Sequence, residues 1–297
     1  MDVTTVAIVG GGRVGSGIAI VAAKAGLKTI LTEKTQELAE AAVERITREI
    51  DMQIARWGMT ESEKKLILGN LDAGDDLSRS RQAQLVMCSI PSLLEEQKQI
   101  FRQLNSICGS HTIFTSNTSV LSITELAAEL DYPENMLGLH FLHPVLKTKL
   151  VEIVRGFATS DQTCEIGKAF VKALGKKGIE VFESPGFITT RVMFPLINEA
   201  MNTLMEGVAS AEDIDIAMQL GYNMQWGPLE LADRIGLDRV LVALDHLFRE
   251  FGEQKFRPCP LIKKLVRAKH FGVKTGIGFF HYDKDTGKKL GSSFPRP

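Results

Sequence analysis

The chain has 297 residues, 44% hydrophobic and 24% charged, enough for one large or two medium domains with sizeable cores. Its 35 Lys and Arg stand against 36 Asp and Glu, a net charge of −1, so no field recruits nucleic acid or an anionic membrane and small molecules are the expected partners. Cys88, Cys108, Cys164 and Cys259 are far apart and form no C-x-x-C, which excludes a disulfide framework or metal site as the expectation and favours reduced thiols in a cytoplasm.

No apolar run reaches the ~18 residues of a membrane span, and the opening MDVTTVAIVG has no basic segment ahead of an apolar one, so neither insertion nor export is expected. Val3–Val9 then reads as a buried parallel strand, and Arg13–Ala25 as a helix with Val14, Ile18, Val21 and Ala22 on one face. Between them Gly10, Gly12 and Gly15 form G-x-G-x-x-G. Alone the pattern is weak and equally describes a structural bend; at a strand-to-helix turn it reads as a phosphate cradle.

Lys28–Thr32 is predicted as a second strand ending at Glu33, followed by a long amphipathic helix over Gln36–Trp57. Strands at Gln84–Ser89, Thr112–Ser116, Met136–Phe141, Lys149–Val154 and Gly178–Phe182 are spaced by helices at Leu93–Ile107, from Ser122, and at Asp161–Leu174. Such alternation predicts an α/β domain, a doubly wound parallel sheet. After Ser184-Pro185-Gly186 the strand signals nearly vanish. Helices are expected at Thr190–Glu206, Ala211–Leu220, Gly227–Phe251 and Cys259–Ala268, which sets a domain boundary between residues 185 and 186 and makes 186–297 an all-helical domain.

The glycine turn is of Rossmann type. Gly10 allows the tight turn, Gly12 lets the backbone approach a pyrophosphate, Gly15 permits close helix–strand packing, and Arg13 and Val14 open the helix whose N–H groups face the anion. Glu33 stands where a carboxylate accepts bonds from the adenosine ribose hydroxyls. A 2′-phosphate there meets like charge, so NAD is favoured over NADP, with Arg13 and Lys34 as the cations that oppose this preference.

Two further segments carry chemistry: FTSNTSVLSITELA at 114–127 and LGLHFLHPVLKTKLVEIVRG at 137–156. With GGGRVGSGIA, SNTSV, HFLHP followed by VE, PGFITTR and KTGIGFF in order over essentially its whole length, the chain resembles the short-chain L-3-hydroxyacyl-CoA dehydrogenase family. The resemblance implies reversible oxidation of a (3S)-hydroxyacyl-CoA to a 3-ketoacyl-CoA with hydride passing to NAD. It implies His140 as general base, Glu152 as the carboxylate that orients it, Ser119 on the substrate oxygen and Asn117 beside it near the nicotinamide. It also implies a cofactor domain at 1–185, and a helical domain at 186–297 that supplies a substrate-pocket wall and homodimer contacts. The chemistry itself asks for a base that titrates near neutrality, and a carboxylate neighbour that fixes its tautomer; by spacing alone, a lone His in an apolar strand such as His140 is more often a satisfied core residue.

Departures from the family pattern bear on range. The Asn of HFFNP is His143, and the Asn before the arginine of PGF-x-x-NR is Thr190, both expected on the substrate. In the cofactor-side segment Cys88 and Ser92 replace two glutamates, and Gln97 stands where some members carry a cofactor-contacting lysine. Cys88 is expected to be a small buried hydrophobe rather than a reactive thiol. Two other functions remain compatible with these residues: a dehydrogenase of a 3-hydroxy acid without CoA, as in the L-gulonate dehydrogenases, and a nucleotide-binding scaffold with little catalysis.

Overall fold

The computed structural model describes residues 3–91, 93–284 and 286–294, and its chain divides into two compact units that meet between Phe187 and Ile188. The first unit holds an eight-stranded sheet in the order β3-β2-β1-β4-β5-β6-β7-β8. Its strands are β1 (Thr5–Val9), β2 (Lys28–Thr32), β3 (Leu71–Gly74), β4 (Leu85–Cys88), β5 (Ile113–Ser116), β6 (Met136–Phe141), β7 (Leu150–Arg155) and β8 (Lys177–Phe182). Helices α1 (Arg13–Lys24), α2 (Gln36–Ala55), α3 (Glu61–Asn70), α4 (Leu94–Ile107), α5 (Ile123–Ala127) and α6 (Asp161–Ala173) connect them. Ile18, Ile46, Ile50 and Phe170 from the helices meet Ile8, Leu85, Leu139 and Ile153 from the sheet in one apolar cluster.

In this unit two features depart from the sequence expectation. The segment after α2 holds a further helix and strand, α3 and β3. Thr60 and Glu63 close a capping box at the start of α3, two orphan donors satisfied reciprocally, and this T-x-x-E signature was present in the sequence. The sheet is also not wholly parallel: β7 runs antiparallel to β6, and β8 follows β7. The residues between β6 and β7, 142–149, are too few for the dozen or more that a crossover to a parallel strand requires, so the chain turns back.

The second unit contains α7 (Thr189–Met205), α8 (Ala211–Tyr222), α9 (Pro228–Ile235), α10 (Leu237–Phe251) and α11 (Pro260–Arg267). The helix expected over Gly227–Phe251 is broken at Gly236, whose φ of +105° no helical residue adopts. Nor is the unit all-helical, because β9 (Phe280–Tyr282) and β10 (Lys289–Ser292) form an antiparallel hairpin. Asp233 on α9 organises this end. It accepts the Phe279 and Phe280 amide protons and the Tyr282 hydroxyl, each at 3.0 Å. A Cβ on Gly278 would lie 1.9 Å from its Oδ1, which explains the glycine of KTGIGFF as room for a buried carboxylate. Burial raises the Asp233 carboxyl to about 7 and Asp215, which accepts the first amides of α9, to about 6.

Candidate active site

The glycine turn lies at the carboxyl end of β1. Gly10 has φ +101° and its N–H donates to the Thr32 carbonyl at the tip of β2. A Cβ on Gly15 would stand 1.9 Å from the Gly10 carbonyl oxygen, so helix and turn touch backbone to backbone. Gly12 caps α1 without a side-chain bond, and a Cβ there meets nothing within 4 Å. An open helix N-terminus with free space at the second glycine fits a pyrophosphate. Arg13 is exposed and Val14 half-buried in the first turn of α1.

Gly11, which the sequence pattern leaves unassigned, is also closely packed. A Cβ there would lie 2.6 Å from the Ala42 Cβ on α2. Its N–H donates to Glu33 Oε1 at 2.6 Å, and its carbonyl accepts Ser16 Oγ at 2.7 Å and the Arg45 guanidinium. Glu33 is thus held half-buried at the tip of β2, its second oxygen 3.3 Å from the Lys34 amide. Arg45 is a cation at the turn that neither the motif nor its spacing announces, because it comes from near the middle of α2.

The expected catalytic residues lie near the carboxyl ends of β5 and β6 and on the facing part of β7. His140 and Glu152 are direct register partners across β6 and β7, which sets their side chains on one face of the sheet. His140 Nδ1 lies 2.6 Å from Glu152 Oε2, with the carboxylate fully buried and the imidazole 8% exposed. Opposite an acceptor-only carboxylate Nδ1 carries the proton, leaving Nε2 as the basic nitrogen. Asn117 follows β5, and its Oδ1 accepts the Phe141 amide proton at 2.8 Å, one residue beyond His140, extending the β5–β6 ladder by a side chain. Thr118 Oγ1 accepts the amides of Val120 and Leu121, which bends the chain so that half-buried Ser119 sits in the turn after β5.

The other expected residues divide. Gln97 is fully buried on α4, with Oε1 accepting Ser116 Oγ at 2.7 Å and Nε2 3.4 Å from the Pro91 carbonyl. Its carboxamide braces β5 against the loop after β4. Ser92 lies outside the described residues. His143 is exposed just past β6, before a cis bond to Pro144, and Thr190 is buried in the first turn of α7 in the second unit. Burial drives the Cys88 thiol up to about 12, so it is an inert hydrophobe.

Two further residues brace the dyad. Lys176, partly desolvated and so lowered in pKa, donates to the Val145 and Thr148 carbonyls at 2.6 and 2.7 Å, tying down the β6–β7 connection. The Phe187 ring packs on His140, centroids 5.8 Å apart.

Two family models cover nearly the whole chain: the NAD-binding domain of 3-hydroxyacyl-CoA dehydrogenase over residues 5–184, and the C-terminal domain of the same family over residues 186–282. The chain is 40% identical to a probable 3-hydroxybutyryl-CoA dehydrogenase of Bacillus subtilis, over 96% of its own length and all of that protein. It is 36% identical to the mitochondrial hydroxyacyl-coenzyme A dehydrogenase of Sus scrofa, covering 93% and 90% of the two chains. Among solved structures, an (S)-3-hydroxybutyryl-CoA dehydrogenase of Ralstonia eutropha superposes with a TM-score of 0.88 at 37% identity, covering 95% of this chain and 100% of that one.

Proposed function

The chain belongs to the 3-hydroxyacyl-CoA dehydrogenase family, and from that premise we propose that it interconverts a short-chain (3S)-hydroxyacyl-CoA, such as 3-hydroxybutyryl-CoA, and its 3-keto form, with His140 as the acid and base. The observation that carries the assignment of roles is the buried 2.6 Å pair of His140 and Glu152 at the carboxyl end of β6. NAD accepts or supplies the hydride. The residues that would hold it are Gly10, Gly12 and Gly15 with the open end of α1, Arg13 and Val14 at that end, and Glu33 on the adenosine ribose.

His140 Nε2 takes the proton of the 3-hydroxyl group in oxidation and returns it in reduction. Glu152 stabilises the imidazolium that forms and holds the tautomer. Ser119 donates to the substrate oxygen. Asn117, committed through Oδ1 to the Phe141 amide, retains its Nδ2 donors for the same oxygen or the carboxamide of the cofactor. His143 and Thr190 replace two carboxamides of the family pattern, and we assign them to the acyl-thioester end of the substrate.

Exposed Ile216 and Leu220, four residues apart on one face of α8 and the latter 83% exposed, suit a homodimer contact. Among the described residues no helix is long and apolar enough to cross a membrane, and the four cysteines are free; a cytoplasmic enzyme is the proposed setting.

The test is NADH oxidation with acetoacetyl-CoA. The wild-type protein turns over, and His140→Gln binds NADH with unchanged affinity but loses turnover by at least about a hundredfold, the lower range for a general acid–base group. No turnover with any short or medium 3-ketoacyl-CoA refutes the proposal.

A further inference from the structure

The segment Ser184-Pro185-Gly186-Phe187 leaves β8 and ends the first unit with two consecutive left-handed residues, Gly186 at φ +78° and Phe187 at φ +50°. Glycine takes that conformation freely, whereas a bulky side chain does so only where its surroundings over-determine it. The surroundings are specific. The stem is anchored at Glu183, whose N–H donates to the Arg155 carbonyl at 2.9 Å and whose Oε2 accepts the Thr124 amide at 3.0 Å and the Thr124 hydroxyl. The Phe187 N–H then closes the turn on the Ser184 carbonyl at 2.9 Å.

The strained residue delivers its ring to one place. Phe187 is 4% exposed and its ring stands 5.8 Å from the imidazole of His140 at an interplanar angle of 59°. Glu152 fixes His140 at Nδ1 alone, and a ring held by one hydrogen bond keeps rotation about that bond as a soft coordinate. A tilted aromatic wall on its flank removes that freedom and keeps water from the short bond.

We propose that Phe187 is a positioning residue for the general base: the strained turn presses its ring on His140, setting the imidazole plane and drying the bond to Glu152. This rests on the role given to His140 above. A residue serving only the core would be replaceable by any apolar group of similar volume, without effect on the chemical step at constant fold.

Phe187→Leu keeps apolar volume without the ring plane, Phe187→Gly keeps the left-handed backbone without strain or ring, and Phe187→Tyr keeps the ring. Steady-state reduction of acetoacetyl-CoA by NADH should show kcat lowered about 10- to 100-fold in the Leu and Gly variants, the scale of a misplaced catalytic group. KM for NADH should stay within about twofold, and the Tyr variant should recover most of kcat. In parallel, proton NMR should show a downfield, slowly exchanging signal for the His140 Nδ1 proton in the wild type, absent in His140→Gln. That signal should persist in the Tyr variant and exchange-broaden in the Leu and Gly variants. Leu and Gly variants with wild-type kcat and an unchanged imidazole signal overturn the proposal, as does a Tyr variant as impaired as Gly. A wild type inactive on every thioester refutes the substrate assignment alone, and the NMR comparison then decides the role of Phe187.

Discussion

Replacing Glu152 by Gln separates what the dyad contributes to catalysis from what it contributes to stability. The carboxylate is fully buried and 2.6 Å from His140 Nδ1, so in wild type the charge assistance of this hydrogen bond is greatest when the imidazole is protonated. A hydrogen bond to a charged group contributes ~1.5–3 kcal/mol. At ~1.36 kcal/mol per decade, losing that assistance only in the transition state lowers kcat about 10- to 150-fold. The loss is larger if the amide turns its NH2 toward Nδ1, because Nδ1 must then give up its proton and Nε2 ceases to be a base. Stability follows another rule: Gln is nearly isosteric, and removing a buried charge removes its desolvation penalty, so Tm should change by less than about 4 °C, the effect of ~1 kcal/mol in a chain of this size. The assay is kcat for acetoacetyl-CoA reduction, alongside thermal unfolding and NADH fluorescence titration. A folded Glu152→Gln protein with kcat within about threefold of wild type refutes the assignment of Glu152 as the orienting carboxylate.

The glycines of the turn should respond to alanine in opposite ways. Gly15→Ala forces a Cβ to 1.9 Å from the Gly10 carbonyl and should lower Tm markedly, whereas Gly12→Ala meets no protein atom and should leave Tm unchanged while weakening NADH binding, readable by calorimetric titration. Glu33→Ser should raise kcat/KM with NADPH relative to NADH by at least about tenfold, the like-charge repulsion of a 2′-phosphate being worth a pKa unit or more; an unchanged ratio would remove Glu33 from cofactor selection. Asp233 has a carboxyl raised by burial to about 7, so the folded state holds its proton more tightly than the unfolded chain. Its stabilising share is complete below about pH 4 and is lost as pH rises through about 7. Tm should accordingly fall across that window, and Asp233→Asn, though less stable throughout, should show a shallower fall. A parallel pH profile in the two proteins counts against a titrating Asp233.

Much of this architecture is legible in local signals. Lys28–Thr32 and Met136–Phe141 are short buried runs bounded clearly enough that their predicted and observed limits coincide. Gly10, Gly12 and Gly15 are informative because a tight turn, an open helix end and a backbone contact each exclude side chains, a constraint written directly in residue type. Where local signals are ambiguous, tertiary context decides. Gly236 reads as a tolerated helix glycine, and only its φ of +105° breaks the helix. The hairpin β9–β10 is too short and too polar on one strand to show a period, and it forms because Asp233 holds the Phe279 and Phe280 amides.

Residue type and order along the chain specify the chemistry available: a base, a carboxylate, a hydroxyl and a carboxamide, downstream of a dinucleotide turn and in an order that identifies the family. Distance along the chain carries no information on who supports them, so Gly11 with Arg45, Gln97 with Ser116, and Phe187 with His140 belong to the tertiary structure alone. The physical reason is the reversal between β6 and β7. A parallel β7 would set a different residue opposite His140, and only the antiparallel register brings Glu152 across from it at hydrogen-bonding distance.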